Sequence, residues 1–81
     1  MGEIKWSNGN YYLGEFKNDE RHGNGEMRWI DESTYIGEWN KGKRHGWGTM
    51  KKPEGALLTG VFVRNDFMGK DYIIVETIEE N

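Results

Sequence analysis

The chain has 81 residues, room for one domain, and no cysteine, which excludes disulfides and any thiolate-based metal or nucleophile chemistry. Fourteen acids against eleven bases give a net charge of −3, poor footing for a nucleic-acid binder, which needs a basic stripe to displace counterions. No apolar run approaches the ~20 residues that span a bilayer, and Met1-Gly-Glu-Ile-Lys-Trp6 lacks the apolar region of a signal peptide. Trp6 stands where a myristoylation signal wants Ser or Thr. On these grounds the chain reads as soluble and cytoplasmic.

Only 35% of the residues are hydrophobic, but they include four Trp, four Tyr and three Phe, so the core is made of few, large side chains. Twelve glycines against one proline point to an ordered backbone with special dihedrals rather than to a linker.

In chain order, residues 2–11 form a half repeat, 12–34, 35–57 and 58–75 three successive units, and 76–81 a tail, all in a single domain. The period is 23 residues: Tyr12-Leu-Gly-Glu-Phe is answered by Tyr35-Ile-Gly-Glu-Trp and, in eroded form, by Leu58-Thr-Gly-Val-Phe. All twelve glycines fall on repeat positions, among them Gly14, Gly37 and Gly60, then Gly23, Gly46 and Gly69, then Gly2, Gly25 and Gly48. Within each unit the periodicity is two. Tyr12, Gly14 and Phe16 lie on one side and Leu13, Glu15 and Lys17 on the other. The second segment, Gly25 to Trp29, turns Gly25, Met27 and Trp29 inward. Alternation at this length means strands, not helices.

At the tip of each unit Asp19, Gly42 and Asn65 are equivalent, residue types that accept the positive φ of a two-residue hairpin turn. Between units Asn8-Gly9, Asp31-Glu32 and Glu54-Gly55 share a site; Glu32 suits it least and predicts a longer or type I turn there. The expected fold is all-β: a single-layer, elongated, twisted antiparallel meander of about seven short strands. A lone sheet can cover its inward face only with its own large side chains, so part of that aromatic surface is expected to stay accessible.

The last unit departs from the others. Val61 and Val63 stand where earlier units have Glu or polar residues, and Tyr72-Ile-Ile-Val75 is apolar on both faces. That end needs covering on two sides, by the tail 76–81 folding back or by a second copy; because the tail is polar and short, a self-association surface, giving a homodimer through this apolar end, or a partner is expected.

Tyr35-x-Gly-Glu-Trp-x-x-Gly-Lys-x-His-Gly-x-Gly closely resembles the MORN repeat, and the resemblance covers residues 2–75. The first full unit departs at Asp19; the third departs at Leu58, Met68 and Asp71. The resemblance implies a twisted sheet of consecutive hairpins with a groove along one face, serving as a scaffold or peptide-binding module, often dimeric, with phospholipid as another ligand of such arrays. The array itself would not be an enzyme. Met1 and the acidic Glu79-Glu80-Asn81 end read as natural termini, with a piece of a larger repeat protein as the other reading.

Chemistry-bearing constellations are few. His22 and His45 are equivalent and so about 9.5 Å apart, too far to share a metal, and each is expected to support its hairpin by packing or a backbone hydrogen bond. No metal or cofactor is expected, and no nucleophile has a base placed beside it. Glu15 and Glu38 repeat on the outward face, where they read as cross-strand partners of Arg28 or Lys51. Lys41, Lys43, Arg44, Lys51 and Lys52 form a local basic cluster able to meet an anionic head group or an acidic partner. Trp47, whose equivalents are Asn24 and Lys70, falls on the outward face and is a candidate interface anchor. The reading is a non-catalytic scaffold or protein-interaction module that holds a peptide or helix in a groove of Tyr12, Phe16, Trp29, Tyr35 and Trp39. The alternatives are a small stand-alone inhibitor of a larger enzyme and a recruiter to anionic phospholipid.

Overall fold

Two kinds of turn alternate along the chain and set every strand. In a computed structural model of the protein, which describes residues 1–75, the strands are β1 (Gly2–Lys5), β2 (Tyr11–Lys17), β3 (Glu20–Arg28), β4 (Thr34–Asn40), β5 (Lys43–Lys51), β6 (Leu57–Val63) and β7 (Asp66–Gly69). At the tips, the pairs Asn18-Asp19, Lys41-Gly42 and Arg64-Asn65 all have positive φ at both positions, the type I′ geometry whose twist matches that of the flanking strands. Between units the chain reverses over three residues, with Gly9, Glu32 and Gly55 at positive φ and matching backbone bonds of 2.8–3.0 Å across each loop. Glu32 therefore takes the conformation of the glycines it replaces rather than a longer turn. Asp31 holds it there by accepting the Ser33 amide at 2.9 Å and the hydroxyl of Ser33, which is buried.

Each strand pairs only with its sequence neighbours, giving one antiparallel sheet in the order β1-β2-β3-β4-β5-β6-β7. The extents of 44 × 30 × 16 Å leave no room for a second layer, because stacked sheets alone are about 10 Å apart before their outer side chains are added. The register aligns the repeat across the sheet: Gly2, Gly14, Gly25, Gly37, Gly48 and Gly60 form one row, and Ile4, Tyr12, Met27, Tyr35, Met50 and Leu58 the next. The core is one face of this sheet, with Tyr12, Met27, Tyr35, Trp39 and Phe62 buried and Ile4, Phe16, Trp29 and Met50 packed against them.

The second strand of each full unit starts right after the tip turn and runs nine residues, longer than alternation alone suggests. Its extra length sits in a bulge. Gly14 faces Gly25 while Phe16 faces Arg21, and Gly37 faces Gly48 while Trp39 faces Arg44, so two residues on one strand oppose four on the other.

The third unit closes differently. β7 stops at Gly69, and residues 71–74 lie outside the sheet instead of pairing along Leu57–Gly60, where the repeat register would put them. Asp71 occupies the position of Gly25 and Gly48, where the repeat keeps the backbone bare. The expectation that the tail folds back falls on residues 76–81, outside the described ones.

Glu32 at φ 77° carries a Cβ where both sister turns have none. Glu32→Gly should relieve about 1 kcal/mol of left-handed strain and raise the melting temperature by several degrees in a domain this size, as calorimetry would show. An unchanged or lower melting temperature would mean that the Asp31–Ser33 bonds already offset the strain.

Candidate functional site

The inward face is a ladder of rings set edge to face. Phe16, Tyr12, Trp39, Tyr35, Phe62 and Phe67 follow one another at centroid distances of 5.0–5.4 Å, the first four contacts close to perpendicular and the last tilted. Such pairs contribute about 1 kcal/mol each beyond the area they bury. Each Tyr lies over bare backbone: a Cβ on Gly25 would collide with the Tyr12 hydroxyl, and one on Gly48 with that of Tyr35.

The tyrosine hydroxyls do a second job at the bulges. Tyr12 donates to the Glu15 carbonyl at 2.8 Å and Tyr35 to the Glu38 carbonyl at 2.9 Å. The same two glutamates close the other side. The Glu15 carboxylate accepts the Asn24 amide, and that of Glu38 the Trp47 amide, both at 2.6 Å. Gly23 and Gly46, at positive φ, leave the space each carboxylate fills, since a Cβ on either would meet a carboxylate oxygen at 2.7 Å. Glu15 and Glu38 are thus bulge fasteners and not the cross-strand partners expected of them. Arg28 pairs instead with Glu26, at 2.5 Å, the single ion pair among the described residues.

Of the five residues expected to line a groove, the structure brings all together on one face but submerges three. Tyr12 and Tyr35 have no exposed surface and Trp39 almost none; Phe16 and Trp29 are half-buried. The accessible aromatic surface of this face comes from those two with Trp6 and Phe67. Accessible aromatic surface was expected here, but its owners differ in part. The reason is that neighbouring rings turn edge-on and fill the trough themselves.

Two residues that the motif left unspecified complete the face. Arg21 and Arg44 are repeat equivalents, and each lays its guanidinium across the ladder. Arg21 sits 4.8 Å from the Trp39 ring centre, 5.7 Å from Trp6 and 6.0 Å from Tyr12. Arg44 sits 5.6 Å from Trp29, 5.8 Å from Phe62 and 6.0 Å from Tyr35. Each also reaches a methionine sulfur, Met27 at 3.8 Å and Met50 at 3.6 Å, and the far hairpin, Gly42 O at 2.8 Å for Arg21 and Asn65 Oδ1 at 3.2 Å for Arg44. Burial pulls both guanidinium pKa values below the usual arginine range. The recurrence of Arg at a spacing of 23 was the available signal, masked by reading that position as variable.

The basic cluster does not assemble. Lys41 and Lys43 stand at the β4–β5 tip, Lys51 and Lys52 at the opposite end of β5, on the order of 25 Å away, and Arg44 belongs to the aromatic face. A local run of lysines becomes a cluster only if the chain turns back on itself, and a nine-residue strand carries it apart instead. At the tip, Lys41 and Lys43 join Asn40, His45, Val63, Arg64, Tyr72, Ile74 and Val75 around a concavity of about 560 Å³. His45 Nδ1 accepts the Arg64 amide at 3.3 Å, a backbone bond as expected but to the tip of the next hairpin rather than within its own; His22 is half-buried beside the neighbouring tip.

On the outward face Trp47 pairs across to Val61 and is 50% exposed, as its parity requires, with exposed Ile36 on the neighbouring strand. The outward face is thus partly apolar, but without a ladder. No helix is present among the described residues.

The MORN repeat family model matches residues 12–34 and 35–56, more than half of the chain, and the chain belongs to that family. No curated protein matches it. MORN repeats generally mediate protein or membrane interactions and are generally non-catalytic.

Burial raises the Tyr35 hydroxyl from an ordinary 10 to about 12, and that of Tyr12 in the same direction. The fold therefore favours the protonated rings. Their contribution is complete below pH 10 and is lost as pH rises through about 12. Denaturant unfolding followed from pH 9 to 12 should show stability falling steeply above pH 10. Tyr35→Phe should cost about 1 kcal/mol at pH 7 and flatten that alkaline decline.

Proposed function

We propose that this MORN-repeat protein is a non-catalytic interaction module, and that its partner is a protein or peptide bound against the aromatic face. The observation that carries this reading is the layered build of that face. Tyr12, Tyr35 and Trp39 lock one another beneath the surface. Trp6, Phe16, Trp29 and Phe67 offer aromatic area above them, and Arg21 and Arg44 lie between. Large rings on a rigid strand lose little conformational freedom on binding and so make efficient anchors.

Peptides selected from a display library against the folded protein should lose about tenfold in affinity on Trp29→Ala, with the near-ultraviolet dichroism of the ladder retained. Trp47→Ala, on the other face, should leave them bound. The reverse pattern would move the binding surface to the outward face.

A specific observation favours self-association as well. Among the described residues the edge of β6 at Leu57–Gly60 is unpaired beyond β7, and the segment that passes beside Val63 and Arg64 exposes Ile73 at 78% and Val75 at 84%. An unpaired, apolar strand edge is a template for another strand. We propose a homodimer through this end. Light scattering should give twice the chain mass, reduced to one by Ile73→Lys together with Val75→Lys; a monomer at high micromolar concentration would refute it.

A further inference from the structure

We propose that Arg21 and Arg44 are a matched pair of carboxylate-reading positions, one repeat apart, for an acidic peptide laid across the aromatic face. The inference rests on the peptide-binding reading above and adds the chemistry of the ligand.

Four features of the pair support it. The two residues are equivalent in the repeat and lie two strands apart, so their guanidiniums are about 10 Å from each other. Each lies over aromatic rings and is tied by a hydrogen bond to the neighbouring hairpin, Arg21 to Gly42 O at 2.8 Å and Arg44 to Asn65 Oδ1 at 3.2 Å, so neither must be ordered when a ligand arrives. A guanidinium carries five N–H donors, and the bonds to Gly42, Asn65 and the two methionine sulfurs leave most of them without an acceptor. Neither arginine forms an ion pair among the described residues, although acids outnumber bases in the chain. A half-buried cation with no carboxylate in contact has lost hydration and gained ring faces and neutral oxygens in return, with Asp66 acting on Arg44 only from beyond ion-pair distance.

A carboxylate is the group that matches the open fork in shape and charge. Two carboxylates on one side of a peptide and about 9 Å apart occur in the polyproline II conformation at acidic residues three positions apart, since that helix has three residues per turn. The third unit carries Phe67 at the equivalent place, stacked on Phe62 at 5.1 Å, so the reading positions number two and an apolar site follows them. A membrane surface fits less well. The guanidiniums lie half-buried among rings, and the lysines that would assist are dispersed to the two ends of β5.

The test is a random-peptide display selection against the full chain, the Arg21→Gln/Arg44→Gln double variant, and Lys41→Gln/Lys43→Gln as a charge-matched control. The wild-type chain and the control should enrich Asp or Glu at positions three apart. The arginine variant should lose that preference, and the selected peptides should bind it about tenfold more weakly for each arginine removed. If the double glutamine variant fails to fold, Arg21→Lys/Arg44→Lys, which keeps charge but not the fork, should still weaken the acidic peptides relative to their Gln analogues. Enrichment of peptides with no acidic preference, or an equal preference in the variant, would overturn the pair while leaving the peptide-binding reading standing. No enrichment at all would remove both. Sedimentation with phosphatidylserine vesicles that depends on the two arginines, in place of peptide enrichment, would show a lipid surface as the ligand and refute the proposal.

Discussion

The contact on which this sheet depends is a tyrosine ring laid over glycine backbone, with its hydroxyl on the carbonyl of a glutamate three residues on. A single-layer sheet has no opposing layer to bury its residues. The side chain must lie down along the strands instead of standing up from them, and it can do so only where the neighbouring strand has no Cβ. The row of glycines from Gly2 to Gly60 provides that path. Once the ring is down, its edge faces the next ring, and burial reaches completion at Tyr12 and Tyr35 without a second layer. The bulge follows from the same contact. Where β4 and β5 break register beside Tyr35, a carbonyl of β4 (Glu38) and an amide of β5 (Trp47) lose their ladder partners, and such backbone groups need others. The hydroxyl takes the carbonyl and the glutamate takes the amide, so Tyr-x-Gly-Glu is one device that both covers the face and seals the irregularity beneath it.

The third unit shows what happens when the device is absent. Leu58 has no hydroxyl, Val61 has no carboxylate, and Asp71 replaces the glycine that would have lain under a ring. The sheet reaches Gly69 and the chain then leaves it. Three substitutions distributed over fourteen residues thus act together to end the array. The apolar residues Tyr72–Val75, which in register would have extended β7, become surface.

Much of this was legible in the sequence, because a repeat multiplies its own signal. The period placed the strands and both kinds of turn, parity put Trp47 outward and the Tyr–Trp ladder inward, and the motif named the family. What stayed hidden was of one sort: contacts between residues that neither period nor parity relates. Glu15 and Glu38 alternate as outward residues should, yet their carboxylates bend back to amides nine residues on, because a bulge brings those amides near. The five basic residues near the second hairpin read as a cluster along the chain, but alternation sends Arg44 to the other face and extension separates the lysines. The five residues expected to line a groove share one face, but Tyr12, Tyr35 and Trp39 are submerged there, since rings that meet edge to face hide one another.

Arg21 and Arg44 bring these threads together. Alternation turns them inward, and the register shift of the bulge sets Phe16 and Trp39 directly across from them. A lysine there would present a compact, strongly hydrated charge that gives up water poorly against a ring, whereas a planar guanidinium is weakly hydrated and stacks. The choice of arginine is thus already fixed by the aromatic ladder, which in turn is fixed by the glycine row. A charge lying on the face therefore stems from the same geometry that made a one-layer core feasible. The chain has fourteen acids with which to neutralise that charge and, among the described residues, places none in contact with it. Structural need explains why the positions are arginine, because the ladder requires a flat lid. It does not explain why no carboxylate among the described residues comes into contact with that lid, and this asymmetry is the feature of the face that points outside the molecule.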